Sequence, residues 1–556
     1  MMTDGHVSRA RLSIGTKVGW GMADASLGVF VFLKSVIILN FMTTYLGVNA
    51  LAAGIVTSLV ILTDIITDPL VGAWSDRTDS RWGRRRPFMI LGVIAMVSLS
   101  YLMFAVPSNL TGTAAAVWVF GFYALASVGF TLVTVPYGAM AVEMTDKPQE
   151  RVTMTGFRMA FASVGILLSG LIFAPQTRAD FAGSAWIIVG AIMVVPVLIA
   201  VLSTHRAPFV TSNGDVVANG KTVIKNSNSV ARLSIFEQVG VVFRNGAFTK
   251  HVIAYGIMTL GVAIISGGIR YITDDIVTSR AADGSFQPYL LTVELTDKQA
   301  IGLGLMPDQT GYWTTRNGEQ FPAPAVIFDV GNPTFDFEDV NYQLLADHPY
   351  GQEQVRALKS VLNQAIAEQL APPLAFLVNL AGLFSAVFAL FLVGSIISQL
   401  LWVPLAAVIG RDTTLVSALV AYGVLLGCYL FILQSGNLNL IISLPFLLGI
   451  CNGCYQNLPW AILPTIIDQA NKENGKHLEG AFNGFWLTGQ KIANAAGPML
   501  FVIFLTIGGY QSSQIGFQIQ SETASNYMEI IMSALPAIFF LVAIPVFLSI
   551  PKALRH

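Results

Sequence analysis

Twelve apolar runs, each long enough to cross the hydrocarbon core of a bilayer, leave this 556-residue chain few folds to choose from. They lie near 20–46, 51–75, 87–107, 112–142, 153–175 and 185–203, and then, after a polar stretch, near 251–273, 372–408, 413–434, 438–468, 479–507 and 526–550. Backbone polar groups inside lipid must be satisfied within the segment, so each run is expected to be a helix. Composition agrees: the chain is 54% apolar and 11% charged with a mean hydropathy of +0.65, the profile of a polytopic membrane protein rather than a soluble domain. A net charge of −1 gives no basis for a nucleic-acid partner. Cys428, Cys451 and Cys454 lie in apolar stretches without a second cysteine pair or a nearby histidine, so small packed residues are expected rather than a metal or redox site. No cleavage-like small-residue site precedes the first run, and no signal peptide is expected.

Lysine and arginine near the span ends set the orientation. One side carries Arg9, Arg11 and Lys17, then Arg77, Arg81, Arg84, Arg85 and Arg86, then Lys147 and Arg151. It continues with Arg206, Lys221, Lys225, Arg232, Arg244 and Lys250, and later Arg411, Lys472, Lys476, Lys552 and Arg555. The short loops opposite hold almost none, Arg178 excepted. Both termini are therefore expected in the cytoplasm, with the chain in the plasma (inner) membrane. The expected organisation is an N-terminal segment at 1–19, a six-helix half at 20–203, a cytoplasmic linker at 204–250, the seventh span at 251–275, an extracytoplasmic insert at 276–371, spans eight to twelve at 372–550 and a tail at 551–556. Residues 207–232, rich in Asn, Ser, Val and Gly, read as a flexible linker. The insert has turn signals and short β-like runs in TGYWTTRNGEQFPAPAVIFDVGNP, then a helix-like GQEQVRALKSVLNQAIAEQL.

The chemistry concentrates in charges within the spans. Asp64 and Asp68 stand four residues apart on one helix face, directly before the basic loop SDRTDSRWGRRRP. Each ionised carboxylate at mid-membrane costs roughly 2.5–3.5 kcal/mol, so the pair calls for a cation, a proton or a basic partner, with Lys491 or Arg158 the structural candidates. Asp24 in GMADASLG is a candidate substrate or ion contact. Arg158 in TGFRMAFASVG offers a fork of donors to hydroxyls or a carboxylate. Lys491 in WLTGQKIANAAGP is placed to answer the paired carboxylates, whereas Lys34 can snorkel or face another helix. Amides and indoles cluster in YQNLPWAILP and FNGFWLTGQKIAN, where Gln456, Trp460 and Trp486 suit a hydroxyl-rich ligand with a flat apolar face. Asp468 falls at the basic end of its span, as a gate charge or a solvated one. Pro459 and Pro464 are expected to bend that span.

DPLVGAWSDRTDSRWGRRRPF, VPYGAMAVEMTDKPQER and FRMAFASVG together resemble the glycoside-pentoside-hexuronide cation symporters of the major facilitator superfamily, and the basic loop is also similar to that of sucrose transporters. The resemblance spans the twelve runs but not the insert. It implies an all-α membrane protein with the major facilitator fold, two six-helix halves each of inverted three-helix repeats, an insert between spans seven and eight, and a monomeric carrier in the lipid bilayer. It further implies a cation site at Asp64, Thr67, Asp68 and Thr131, where Na⁺ at Asp64 and Asp68 or a proton could couple transport. Asp24, Arg158 and Lys491 match sugar-side positions. Thr134 and Gly138 replace the family's fourth-span aspartate and tryptophan, which points away from α-galactosides. Gating is expected of Arg77, Arg84, Arg85 and Asp468. The expected activity is symport of a sugar or glycoside with Na⁺ or H⁺, with no cofactor and no enzymatic step. A proton-coupled sucrose- or maltose-type carrier and a carrier of a non-sugar solute are the alternatives.

Overall fold

Glycine and proline decide where the apolar runs bend, stop and touch. The computed structural model describes chiefly residues 12–78, 82–145, 148–173, 178–210, 242–277, 366–474, 479–513 and 520–555, with short pieces of strand between 209 and 224 and between 305 and 322. The first half comprises α1 (Ile14–Tyr45), α2 (Ala50–Arg77), α3 (Arg86–Phe104), α4 (Gly112–Met144), α5 (Pro148–Ile172) and α6 (Ala185–Ser203). The second comprises α7 (Gly246–Ile276), a short α8 (Pro372–Ala381), α9 (Leu383–Ile409), α10 (Arg411–Gln434), α11 (Leu438–Asn474), α12 (Glu479–Ile507) and α13 (Glu522–Leu548). Among the described residues, eleven helices are long and apolar enough to cross a bilayer, twelve if the bent α8–α9 pair is taken as one span. The run at 372–408, expected as one span, is broken by 115° at Gly382, whose φ of +81° is a conformation that L side chains rarely adopt. α9 is the span and α8 turns away from it.

Small residues let the helices meet backbone to backbone, the usual device where lipid removes the hydrophobic drive for association. A Cβ built on Gly165 of α5 would lie 2.1 Å from the Ala25 carbonyl oxygen of α1. In the second half, a Cβ on Gly497 of α12 would lie 2.4 Å from Ala263 Cβ of α7. The fifth span packs on the first, and the eleventh on the seventh, through the same device.

The halves are locked together at the face opposite the basic loops. Thr43 and Tyr271 share a hydroxyl hydrogen bond of 2.6 Å, the Gly47 amide donates to the Ser513 carbonyl at 2.7 Å, and the Ser512 hydroxyl donates to the Val48 carbonyl at 2.8 Å. Nearby, Ser385 donates to the Gly170 carbonyl at 2.7 Å, and deeper in, Ser58 donates to the Ala495 carbonyl at 2.9 Å. These hydrogen bonds lie between the midplane and this face. The halves are sealed together there. Gly54 marks the seal, since a Cβ on it would fall 2.1 Å from Val502 Cγ2. Gly54→Val is expected to pry the seal apart. Cysteines placed at Val48 and Ser512 should then cross-link roughly tenfold more slowly, the effect of about 1.4 kcal/mol on a two-state balance.

The start of α1 is pinned to α5 by Glu150, which accepts from the Leu12 amide at 3.2 Å, the Lys17 ammonium at 3.1 Å and the Thr145 hydroxyl at 2.7 Å. Burial alone would raise the pKa of this carboxyl, but the Thr145, Lys17 and Leu12 bonds outweigh it and hold it below the ordinary 4.5. A carboxylate with a lowered pKa adds stability above its unfolded value and loses it as pH falls through the folded one. Glu150→Gln should therefore cost on the order of 1–3 kcal/mol at neutral pH. In thermal unfolding, that difference should shrink below pH 4.5 and vanish in stronger acid.

Two small sheets sit outside the helices. β1 (Phe209–Val210), β2 (Val216–Ala218) and β3 (Lys221–Ile224) are antiparallel, so part of the stretch expected to be a flexible linker is paired strand. Asn219–Gly220 between β-branched residues is the hairpin signal that marks it in the sequence. In the insert, β4 (Leu305–Pro307), β5 (Tyr312–Thr315) and β6 (Gln320–Pro322) form a second antiparallel sheet with Trp313 opposite Phe321. The expected insert helix lies largely outside the described residues, as do 1–11 and 225–239.

Candidate functional site

Two ladders of side chains meet at the centre of the first half. Asp64 and Asp68 repeat at one helical turn on α2, facing Ser127 and Thr131 at the same spacing on α4. Ser127 donates to Asp64 Oδ1, and Thr131 donates to Asp68 Oδ1 at 2.9 Å. The remaining carboxylate oxygens each take a lysine. Lys34 Nζ of α1 lies 3.5 Å from Asp64 Oδ2, and Lys491 Nζ of α12 bonds Asp68 Oδ2. The surroundings of the two pairs differ: the Asp64 side chain is 2% exposed, whereas Asp68 and Lys491 are 32% and 25% exposed. Asp68 lies eighteen residues along α2 from the face opposite the basic loops. Lys491 belongs to the other half, and its contact with Asp68 carries an ion pair across the interface.

The second cluster lies closer to the basic face. Arg158 Nε on α5 is 2.5 Å from Asp24 Oδ2 on α1, with Nη2 3.4 Å from Oδ1. Tyr137 of α4 donates to the same Asp24 oxygen at 2.8 Å. The guanidinium lies over the Tyr137 ring at 4.8 Å and the Trp20 ring at 5.5 Å, and those two rings are 4.6 Å apart. Asp24 is buried, while a quarter of the Arg158 side chain is exposed. A pre-oriented fork of donors beside an aromatic platform can hold hydroxyls on one side of a ring and C–H groups on the other.

Several expected residues stand elsewhere. The Thr67 hydroxyl bonds back to the Asp64 carbonyl at 3.5 Å, and Thr134 to the Phe130 carbonyl at 2.6 Å. Both are satisfied by their own helices, as helical threonines often are. The hydroxyl beside Asp64 is that of Ser127. Trp486 is completely buried, stacked on Tyr255 at 4.3 Å and on His251 at 4.8 Å, so it presents no face to a ligand in this conformation. Trp460 is 39% exposed, meets Trp486 edge-on at 5.6 Å and donates to the Tyr255 hydroxyl at 3.2 Å. Gln456 is exposed, one turn away on α11.

Among the described residues, the expected gate arginines Arg84 and Arg85 pair inside the first half. Arg84 and Arg85 both donate to Glu143, each at 2.8 Å, and Arg85 reaches Asp76 at 2.6 Å, all within the first half. Arg77 and Asp468 are exposed near the ends of α2 and α11.

Lys34, Ser127, Tyr137 and Trp20 join the site without having been expected in it. Ser127 and Thr131 repeat at the aspartates' own spacing, a signal available in the sequence. Lys34 carried the general signal of a charge in a span, but its partner lies thirty residues away.

Two six-helix halves packed round a charged midplane and joined at one face define a transporter of the major facilitator fold. The chain belongs to the MFS/sugar transport protein family, which matches residues 19–304 and 375–551 and leaves out most of the insert. Within it, the chain is of the glycoside-pentoside-hexuronide symporter type, a membrane transporter and not an enzyme. An uncharacterized symporter of Synechocystis sp. is 24% identical over 99% of this chain and 96% of its own length. The glucuronide carrier protein homolog of Escherichia coli is 29% identical over 168 residues, 30% of this chain and 37% of that protein. Relatives of this second kind are matched over about a third of their own length. Among solved structures, a D-xylose-proton symporter superposes with a TM-score of 0.53 at 10% identity, over 98% of this chain and 99% of that one, a likeness of fold.

Proposed function

We propose that this protein imports a glycoside or oligosaccharide together with a cation, Na⁺ or H⁺, by alternating access. The observation that carries the reading is the Lys491–Asp68 pair, which ties the carboxylate ladder of one half to the other half and is a quarter to a third exposed. In this scheme Asp24, Arg158, Trp20 and Tyr137 hold the sugar, with Trp460 and Gln456 facing it from the second half. Asp64, Asp68, Ser127 and Thr131 form the coupling site. When the cation answers Asp68, Lys491 is released and the halves can rock; with Asp68 unanswered, the closed and dry intermediate carries an uncompensated charge and is disfavoured. The basic loops mark the cytoplasmic side of the plasma (inner) membrane, so both termini are cytoplasmic and the conformation described is inward-open. Names of relatives support a sugar substrate, among them the isoprimeverose transporter of Lactiplantibacillus pentosus. The protein works as a monomer.

The test is uptake of radiolabelled melibiose, sucrose, maltose, xylosides and glucuronides into proteoliposomes, with an Na⁺ gradient and a pH gradient imposed separately. Accumulation under one gradient identifies substrate class and cation together. Folded protein that accumulates no glycoside under either gradient refutes the reading in favour of a non-sugar solute.

A further inference from the structure

Lys34 has no part in the scheme above, yet it holds the most buried carboxylate of the site. It lies in a π-helical turn of α1, Leu33–Ile37, an element that often marks functional positions in helices. Its ammonium is 3.5 Å from Asp64 Oδ2 and 4.8 Å from the centre of the Phe130 ring, with the Phe30 ring at 5.8 Å. The two rings stack 5.0 Å apart. The ammonium is thus held by the carboxylate and by the faces of two aromatic rings, an arrangement that attracts a cation electrostatically. A side chain merely escaping the membrane would direct its charge to an interface, not to a carboxylate halfway along α2.

We propose that the Lys34 ammonium is a tethered cation that occupies the metal-ion position at Asp64, so that this carrier takes no Na⁺ there and couples transport through Asp68 alone. The inference rests on the symport reading, in which the two aspartates are the coupling site. Charge is the first argument. Two carboxylates face two ammonium groups, so the cluster is neutral before any ion arrives. A metal ion added at Asp64 would leave a net positive charge beside Lys34, which belongs to the same half and does not withdraw as Lys491 can, where an uncompensated charge costs roughly 2.5–3.5 kcal/mol. Coordination is the second. Ser127 already donates to one oxygen of Asp64 and Lys34 to the other, and the side chain is 2% exposed. Asp68 is the contrast. It is a third exposed, and its partner comes from the half that moves. Asp64–Lys34 is a fixed pair inside one half, whereas Asp68–Lys491 can exchange partners as the halves separate.

The experiment is an Na⁺ titration of the purified full-length protein, NaCl against choline chloride at constant ionic strength, read by thermal unfolding. It compares the parent, Lys34→Met, Asp64→Asn and the double variant. Up to about 150 mM, physiological ionic strength, the parent is expected to show no Na⁺-specific stabilisation that Asp64→Asn removes. Lys34→Met should gain it, with half-effect at an Na⁺ concentration at least roughly tenfold lower than for the parent, a change of about 1.4 kcal/mol in affinity. Asp64→Asn in the same chain should remove the gain. A parent response that Asp64→Asn abolishes would overturn the proposal, and so would a folded Lys34→Met protein no more sensitive than the parent. Lys34→Gln serves if the methionine variant does not fold, and if neither folds the parent titration decides in the same two directions. Because the probe is Na⁺ alone, failure here is separate from failure of the glycoside reading, which the uptake panel detects.

Discussion

Asp68→Asn should abolish gradient-driven accumulation, lowering it by about 100-fold, the equivalent of roughly 2.7 kcal/mol of lost coupling. Exchange of labelled for unlabelled glycoside across the same membrane should persist. The expectation follows from the site's geometry. Asp68 accepts from Thr131 on its own half and from Lys491 on the other. Neutralising it removes the one negative charge that both a coupling cation and Lys491 can answer. The pair is a quarter to a third exposed, so the cost to folding should stay below the roughly 3–5 kcal/mol of breaking a dry ion pair. The measurement is uptake and counterflow in parallel proteoliposomes. Accumulation within twofold of the parent would place coupling elsewhere. Lys491→Met should impair accumulation as well, because Asp68 would then enter the closed state unanswered in the absence of cation.

Arg158→Ala should weaken glycoside binding by roughly 30- to 150-fold, about 2–3 kcal/mol, since a charged donor fork is lost and Asp24 keeps only Tyr137. Arg158→Lys should recover only part of that loss. An ammonium keeps the charge but cannot bond Asp24 and present further donors in one plane over the Tyr137 and Trp20 rings. Asp24→Asn should do comparable damage from the other side, leaving the guanidinium without its countercharge. Trp20, 5.5 Å from the guanidinium, provides a local fluorescence reporter for the glycoside titration. Equal affinities in parent and Arg158→Ala would remove this cluster from the sugar site.

The order of helices was legible because it rests on local physics. A run of about 20 apolar residues must close its own backbone hydrogen bonds in lipid, so the span count needs no tertiary information. The same holds for Asp64 and Asp68, whose four-residue spacing puts them on one helix face whatever they meet. The break at Gly382 was not legible, since glycine is common in spans and only the positive φ makes it a corner. The strands at 209–224 lie in a stretch whose polar composition concealed an Asn–Gly hairpin signal.

By itself the sequence determined that this is a twelve-span membrane protein with charges in its first, second, fifth and eleventh spans and basic loops on one side. Those properties depend on residue type and on spacing along one helix. Only the tertiary structure decided the pairings Lys34 with Asp64, Arg158 with Asp24, and Arg84 and Arg85 with Glu143, and that Lys491, expected to answer the paired carboxylates, takes Asp68. It also decided that Trp486 is packed in the interior while Trp460 is open. Each pairing joins different helices, or a helix end to the loop beside another, and depends on how those elements are rotated and shifted against one another. That arrangement is set by close approaches such as Gly165 on Ala25, which no periodicity within a single helix encodes.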